Sequence, residues 1–270
     1  VDTLVEGVHF PANYSAAHLG WRSLAVAASD LAAMGANPTC FTLALTLPEA
    51  DPDWLQAFSG ALARASERFG LALAGGDTTR GPRAITLQVH GDVPDGQALL
   101  RSGARAGDWV CVSGTLGDAG AALDYLEAEN PTSDQAAVLE RYHAPVPRLA
   151  LGMQLRGFAS AAIDISDGLL ADLGHLLESS GVGARIDPSA VPVSAALSRL
   201  QGPQAALRLA LQAGDDYELC VTVPAEAWQA LPDAVKKQLT IIGKVIEEQG
   251  LSGVDVSATA GGYDHFGSRA

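Results

Sequence analysis

The fold class follows from one stretch of sequence, AAIDISDGLLADLGHLLESS at residues 161–180. Its first three residues are apolar and, with Asp164 after them, predict a buried strand at 161–164, and the apolar spacing over 169–179 predicts a helix. A short apolar segment at 184–186 predicts the next strand. A strand, a helix and a strand in succession indicate helices layered on a sheet, an α/β arrangement.

The same alternation continues on both sides of this stretch. The other predicted strands are 2–10, 39–47, 71–74, 85–93, 109–113, 219–223 and 239–245, and the other predicted helices are 16–34, 53–69, 118–127, 134–142 and 148–156. The polar, glycine-containing segment SGARAGD at 102–108 interrupts the pattern and predicts a domain boundary. We therefore expect an α/β (α+β) protein with two domains, residues 1–105 and 106–270.

Composition and charge argue against several classes of protein. Apolar residues make up 48% of the 270 and charged residues 18%, which is typical of a well-packed globular chain. No apolar run reaches the roughly 18–20 residues of a membrane span, and no signal peptide opens the sequence, so we expect a cytoplasmic protein with no membrane partner. A net charge of −14 repels phosphate backbones, which argues against binding of nucleic acid.

The common phosphate-binding and catalytic motifs are absent from the sequence. It contains no P-loop, no G-x-G-x-x-G, no H-E-x-x-H and no G-x-S-x-G nucleophile elbow. The three cysteines lie far apart in apolar runs and predict buried reduced thiols rather than a metal site or disulfides. Because there are only three lysines, any bound phosphates must be neutralised by divalent metal and a few arginines.

Aspartates beside small residues stand out at the edges of the apolar elements. Taken singly, an aspartate after a strand is more typical of a helix cap or a turn than of a ligand, and Asp167 could cap the helix that follows it. Asp30 differs because it interrupts an apolar helical run with no lysine or arginine nearby, and a bound cation would compensate its charge. The full set comprises Asp2, Asp30, Asp77, Asp164, Asp167, Asp215 and Asp216.

This set of aspartates suits a site for Mg²⁺ and a nucleotide. Mg²⁺ typically binds one or two carboxylates together with substrate phosphates. Gly75-Gly76 would let the backbone approach the nucleotide closely, and the positive end of the helix after Asp167 would face the same region. Arg101 and Arg80 are candidate phosphate clamps, although each is also compatible with a plain surface arginine.

Seven segments spread over the whole chain carry a resemblance to a known family. The sequence resembles the thiamine-monophosphate kinases through these segments, in the family's order: DTLVEGVHF (2–10), SDLAAMGANP (29–38), GGDTTRGP (75–82), LLRSGARAGDW (99–109), DISDGLLADLGHL (164–176), GDDYEL (214–219) and GYDHF (262–266). The resemblance implies the fold of the aminoimidazole-ribonucleotide-synthetase-like superfamily. In that fold ATP lies in a cleft between two domains, and the N-terminal domain pairs across a homodimer.

The resemblance also implies a reaction. The γ-phosphoryl group of ATP moves onto thiamine monophosphate with the help of Mg²⁺, giving thiamine diphosphate and ADP. The attacking phosphate oxygen is already ionised at neutral pH, so catalysis needs positioning and charge neutralisation rather than a general base.

Each candidate residue takes a role by the same resemblance. The metal-binding positions are Asp2, Asp30, Asp77, Asp164 and Asp167. The ATP-binding positions are Gly76, Asp77, Arg101 and Ser166. Among all of these, the expected catalytic residues are Asp77, Asp167 and Arg101. The substrate-binding positions are His9, Asp215 and Tyr263, although the residues alone favour a locally hydrogen-bonded histidine and an ordinary aromatic side chain.

The sequence departs from the family pattern in two ways that bear on the site. The family carries an acidic Gly-Asp-Asp segment upstream of the position of Val1, so we expect further metal ligands before that residue. It also commonly has Gly-Glu-Asp where this chain has Gly214-Asp215-Asp216, which shortens the substrate-contacting side chain by one methylene. The alternatives are a selenophosphate synthetase or amidine-forming ATPase of the same superfamily, and a non-catalytic nucleotide-binding protein.

Overall fold

The first part of the chain folds as a four-stranded sheet covered by two long helices. The computed structural model describes residues 1–254. The elements of this part are β1 (Asp2–Val5), α1 (Ala16–Ala33), β2 (Asn37–Leu47), α2 (Pro52–Phe69), β3 (Ala72–Arg80) and β4 (Ala84–Asp92). The strand order is β1-β4-β2-β3, in which only the β2–β3 pair is parallel. The β2–α2–β3 connection therefore supplies the one crossover of this sheet.

Local sequence signals explain why α2 begins and ends where it does. The Asp51 side chain accepts hydrogen bonds from the backbone N–H groups of Asp53 and Trp54, and Pro52 occupies the first turn. The helix ends at Gly70, whose φ of 69° is the left-handed conformation common after helices. The buried apolar residues of α2 are Phe58, Ala61, Leu62, Ala65 and Phe69, and the main packing partner of this helix is α1.

The second part of the chain builds a larger sheet of six strands. Its strands are β5 (Trp109–Ser113), β6 (Ala161–Ile165), β7 (Gly183–Ile186), β8 (Glu218–Val223), β9 (Leu239–Ile246) and β10 (Gly250–Ser252). Its helices are α3 (Asp118–Ala122), α4 (Ser133–His143), α5 (Leu149–Leu155), α6 (Leu169–Ser180), α7 (Ala195–Gln212), α8 (Ala225–Ala230) and α9 (Asp233–Lys236). The strand order is β10-β7-β9-β5-β8-β6, and all pairs but β10–β7 are antiparallel.

Helix α1 lies between the two parts of the chain, and most of its residues are buried. It packs against α2 on one flank and against α5 and β6 on the other. Its contact with α5 depends on Gly152, since a Cβ at that position would lie 2.0 Å from the carbonyl oxygen of Ala32. The small side chains predicted for this helix therefore serve close packing between the two parts of the chain.

Most predicted elements are present, and three differ for physical reasons. The predicted strand 2–10 ends at Val5, where the chain turns back through a short loop. Residues Gly75, Gly76 and Asp77 lie inside β3 rather than after a strand. Helix α7 was not predicted, because Gly202-Pro203 interrupts its pattern with a kink.

Three further expectations concern the cysteines, membrane spans and the domain boundary. Cys111 and Cys220 are buried free thiols, and Cys40 is a half-buried free thiol. Across residues 1–254, no helix combines the length and apolar character needed to cross a membrane. The division at residue 105 stays a prediction; it falls between the last strand of the first sheet and the first strand of the second.

Candidate active site

An open cavity of about 820 Å³ lies where the two parts of the chain meet. Its wall combines β1 and α1 of the first part with α4, the β6–α6 turn and the segment before β8 of the second part. Seven of the predicted site residues line it: Asp2, His9, Asp30, Asp164, Ser166, Asp167 and Asp215. Segments that are far apart in sequence are thus brought to one place by the fold.

Asp2 and Asp30 are the carboxylates that the first part contributes. Asp30 lies in the last turn of α1, and its side chain is exposed to the cavity rather than enclosed by the apolar residues of the helix. Partial burial of the carboxyl, which disfavours its charged form, is the main reason that the pKa of Asp30 is raised. The charge of Asp2 raises this pKa further, while the N-terminal ammonium and Arg101 lower it. Arg101 thus lies close enough to affect the carboxyl of Asp30, although no lysine or arginine was expected near this residue.

Asp164 is the most buried of the predicted metal ligands. It is the fourth residue of β6 and only 6% of its surface is exposed. Burial raises the pKa of this carboxyl to about 7, and the charges of Asp30 and Asp172 act in the same direction. Carboxylates from α1 and β6 thus repel each other across the cavity wall, which is an environment that favours a cation.

The turn between β6 and α6 is held by a residue that the sequence analysis did not single out. The buried Asp172 carboxylate accepts hydrogen bonds from the backbone N–H groups of Ser166 and Asp167, both at 3.0 Å. The N-cap position is Gly168, and no side chain caps the helix, so Asp167 is not the cap that its position suggested. Its carboxylate is thus not engaged in capping.

His9 has the local hydrogen bond that the residue pattern favoured, and it also lines the cavity. The backbone N–H of Val5 donates to its Nδ1 at 3.0 Å, and the Tyr142 hydroxyl donates to its backbone oxygen at 3.2 Å. The first bond closes the turn after β1. With Nδ1 accepting, the Nε2 atom carries the proton of a neutral ring and is a hydrogen-bond donor.

The two neighbouring aspartates before β8 have different environments. Asp216 is buried, and its carboxylate accepts the N–H of Gly117 at 3.0 and 2.8 Å, so it has a structural role. Asp215 lines the cavity and accepts from the guanidinium of Arg22 at 2.6 Å and from the Tyr217 hydroxyl at 2.8 Å. Arg22 and the two tyrosines around it, Tyr142 and Tyr217, were missed by the sequence analysis.

Gly76, Asp77 and Arg101 do not line this cavity. Strand register places Asp77 in one row across the sheet with Ala44, Thr86 and Thr3, of which Thr3 does line the cavity. Three strand spacings separate the ends of this row, about 14 Å. Asp77 is exposed at the far edge of the sheet, on β3. Tyr263 lies outside the described residues.

Metal binding by protein side chains alone has no support in the described part of the chain. Within residues 1–254, no three His, Cys, Asp or Glu side chains are grouped closely enough to hold an ion. A cation in this cavity would therefore need further oxygen ligands, such as the phosphates of a nucleotide, which is the usual situation for Mg²⁺.

Comparison with known proteins identifies the family. The models for AIR synthase related proteins match twice, the N-terminal domain at residues 1–93 and the C-terminal domain at residues 105–256. The thiamine-monophosphate kinase of Salmonella typhimurium (strain LT2) is 47% identical over 276 residues, which cover 98% of this chain and 85% of the relative. The chain belongs to the thiamine-monophosphate kinase family. Its predicted fold class is confirmed by the same matches.

Solved structures of thiamine-monophosphate kinases share this architecture. The enzyme from Stenotrophomonas maltophilia superposes with a TM-score of 0.89 at 46% identity, covering 93% of this chain and 83% of that one. A structure of AaThiL complexed with AMPPCP and TMP has the same TM-score at 34% identity, covering 98% of this chain and 85% of that one. A member of the thiamine-monophosphate kinase family thus binds an ATP analogue and the acceptor together.

Proposed function

We propose that this chain transfers the γ-phosphoryl group of ATP to thiamine monophosphate, giving thiamine diphosphate and ADP. A phosphate oxygen of the acceptor forms the new P–O bond as the bond between the γ-phosphorus and the ADP oxygen breaks. The observation that carries this proposal is the cavity between the two parts of the chain, where the acidic family motifs converge. The 47% identity to a thiamine-monophosphate kinase supports it.

The chemistry of the cavity suits Mg²⁺ as the partner of ATP. Its wall holds five carboxylates, and four of them, Asp2, Asp30, Asp164 and Asp167, are predicted metal-binding positions. Burial is the main reason that the pKa values of Asp30 and Asp164 are raised, and the charge of Asp2 on Asp30 and of Asp30 on Asp164 acts in the same direction. These four residues would hold Mg²⁺ in the cavity, and Asp77 on β3 would hold a second Mg²⁺ further along the nucleotide. The ions would neutralise the charge of the transferring phosphoryl group.

The remaining candidate residues would bind and orient the two substrates. Ser166 would bind a phosphate oxygen of the nucleotide through its side-chain hydroxyl, because its backbone N–H and that of Asp167 already donate to Asp172. Gly76, Asp77 and Arg101 would contact ATP, with Asp77, Asp167 and Arg101 as the catalytic residues. His9, Asp215 and Tyr263 would contact the acceptor. A nucleotide lying along the row from Thr3 to Asp77 would connect the cavity to β3.

We also propose that the protein is a cytoplasmic homodimer that pairs through its N-terminal domain. All nine residues of β3 are exposed, and Leu73 keeps 56% of its surface accessible. β3 is the free edge of the four-stranded sheet, with backbone groups available for another strand. A second copy of this chain would cover both the edge and the exposed leucine.

Turnover of an Asp77→Asn variant tests the proposed site. We expect kcat/KM for ATP-dependent phosphorylation of thiamine monophosphate to fall by at least about 100-fold, because the neutral amide is a poor ligand for Mg²⁺. Asp164→Asn should have a similar effect. The matched control is Asp95→Asn, on an exposed loop outside the cavity, and it should retain normal activity. Near-normal turnover by Asp77→Asn would remove Asp77 from the site.

A further inference from the structure

Arg22 occupies an unusual position in the cavity wall. Among residues 1–254, it is the one arginine or lysine that lines the cavity, and its side chain is only 1% exposed. It projects from α1, where the surrounding residues are apolar or small. A fully buried guanidinium is expensive to desolvate unless several partners stabilise it. The groups that stabilise the buried charge of Arg22 therefore need to be identified.

The partners of Arg22 come from the other part of the chain. One terminal nitrogen, Nη1, donates to the backbone oxygen of Tyr142 at 2.7 Å, and the other, Nη2, donates to Oδ1 of Asp215 at 2.6 Å. The guanidinium carbon lies 4.0 Å from the ring centroid of Tyr142 and 5.8 Å from that of Tyr217. A lysine could not reproduce this combination of a guanidinium beside a tyrosine ring and two hydrogen bonds from separate terminal nitrogens.

These contacts fix the orientation of Asp215. Arg22 and the Tyr217 hydroxyl both donate to the same oxygen, Oδ1. The other carboxylate oxygen, Oδ2, is not the acceptor of either bond. One third of the surface of the Asp215 side chain is still exposed. The backbone of Asp215 has a φ of 69°, a left-handed conformation uncommon for a residue with a side chain. A constrained backbone and a locked Oδ1 leave Oδ2 as the oxygen directed to a ligand.

The same contacts divide the cavity into two electrostatic regions. Asp2, Asp30, Asp164 and Asp167 form an anionic region suited to cations. Arg22 neutralises Asp215, so the region around this pair carries no net charge from the two residues. Without that compensation Asp215 would be one more free carboxylate able to attract a cation.

We propose that Arg22 is a positioning residue for the acceptor: it holds Asp215 so that Oδ2 accepts a hydrogen bond from the amino group of the acceptor's aminopyrimidine ring. This inference rests on the proposed function, which makes thiamine monophosphate the acceptor and Asp215 its contact. Arg22 does not touch the reacting phosphates. Its effect is on binding of the acceptor, not on binding of ATP.

Steady-state kinetics of Arg22→Lys and Arg22→Met test this role. We expect KM for thiamine monophosphate to rise at least about 10-fold in Arg22→Met, which corresponds to about 1.4 kcal/mol of lost binding, and less in Arg22→Lys. KM for ATP should stay within about twofold of the wild-type value. Arg199→Lys is the control, because that exposed arginine pairs with Asp134 outside the cavity and should leave both constants unchanged.

Tyr217→Phe provides a second variant, since it removes only the other donor to Oδ1. It should raise KM for the acceptor in the same direction with less effect than Arg22→Met. The proposal is overturned if KM for ATP and for the acceptor rise together, or if neither changes. It is also overturned if both Arg22 variants fail to fold while Tyr217→Phe leaves KM for the acceptor unchanged.

Calorimetry of thiamine monophosphate binding without ATP separates this inference from the proposed function. If the wild type binds the acceptor but does not phosphorylate it, the proposed function fails, and a loss of binding in Arg22→Met still supports the positioning role. If the wild type does not bind the acceptor at all, both fail.

Discussion

At the scale of single residues, Gly76 shows how closely two strands approach beside the candidate site. A Cβ at this position would lie 1.9 Å from the carbonyl oxygen of Leu43 on β2. The neighbouring Gly75 has no atom within 4 Å of the equivalent point. The double-glycine motif therefore contains one glycine required by packing and one that is not.

This difference predicts unequal effects of two alanine substitutions. Gly76→Ala should destabilise the protein by about 1–3 kcal/mol, because β3 must move away from β2 to admit the methyl group. Gly75→Ala should change the free energy of unfolding by less than about 0.5 kcal/mol. Urea denaturation of the two variants and the wild type measures the effect. Equal midpoints for the two variants would contradict this account of Gly76.

Some residues of the site were predictable one by one, and others were not. Asp164 and Ser166 stand in a motif whose strand-turn-helix pattern is readable from the sequence. Arg22 has only a weak signal, a charge within an apolar helical run, and its partner Asp215 is 193 positions away. Tyr142 carries no signal, because an aromatic residue in a helix is usually part of the core.

At the scale of elements, the contact between α1 and α4 contains two histidines with stacked rings. The ring centroids of His18 and His143 are 4.1 Å apart, and the Tyr14 hydroxyl lies 2.9 Å from Nδ1 of His143. Burial lowers the pKa of His143 from 6.5 to about 4, and the charges of His18 and Arg22 act in the same direction. Burial also lowers the pKa of His18, opposed by the charge of Glu140.

These shifts predict how stability depends on pH. In the unfolded chain His143 binds a proton near pH 6.5, whereas in the folded protein it does so only near pH 4. Between these pH values the unfolded state binds more protons than the folded state. The contribution of His143 to the free energy of unfolding is therefore complete above pH 6.5 and is lost as the pH falls toward 4. Because the His143 side chain is only partly buried, we expect the free energy of unfolding to fall by only about 1 kcal/mol.

Urea denaturation between pH 4.5 and 7.5 measures this contribution in the wild type and in His143→Asn. The variant should lose less stability than the wild type as the pH falls. Burial raises the pKa of Asp164 to about 7 and of Asp172 to about 6, which produces an opposite slope. That slope is common to both proteins, so their difference isolates His143. Identical pH dependence in the two proteins would contradict the prediction.

Sequence patterns predicted the existence of elements better than their extent. The pattern of α2 contains its own start and stop signals, and the predicted helix 53–69 differs from the observed one by a single residue. The pattern of β3 is different, because glycines and polar residues have low strand propensity. Its residues 75–80 are extended because each of these six residues pairs with β2. Such tertiary pairing cannot be read from the local sequence.

At the scale of the whole molecule, the exposed β3 edge predicts assembly. A homodimer should show twice the chain mass of 27.7 kDa by light scattering after size-exclusion chromatography. Leu73→Lys places a charge on the exposed leucine of β3 and should shift the protein to monomer. Leu100→Lys is the matched control. Leu100 is similarly exposed, at 52%, but lies outside the strands.

A wild-type protein that elutes as a monomer at micromolar concentration would contradict the proposed homodimer. A dimer that Leu73→Lys leaves intact would place the interface elsewhere on the surface. Both outcomes are independent of the activity of the protein.

The architecture as a whole could be predicted only because family motifs run along the entire chain. Periodicity indicated layered helices and sheets, but it did not give the order of the strands. The second sheet pairs β5 with β8 and β9, which follow it by more than 100 residues. The convergence of Asp2, Asp30 and Asp164 on one cavity is a consequence of that topology.

Phosphorus NMR of the complete reaction tests the central claim most directly. The purified protein is mixed with ATP, Mg²⁺ and thiamine monophosphate, and the phosphorus signals are followed with time. The account predicts one thiamine diphosphate for each ADP, with no release of inorganic phosphate. Formation of ADP with inorganic phosphate and no thiamine diphosphate, or no consumption of ATP under conditions where it binds, would contradict it.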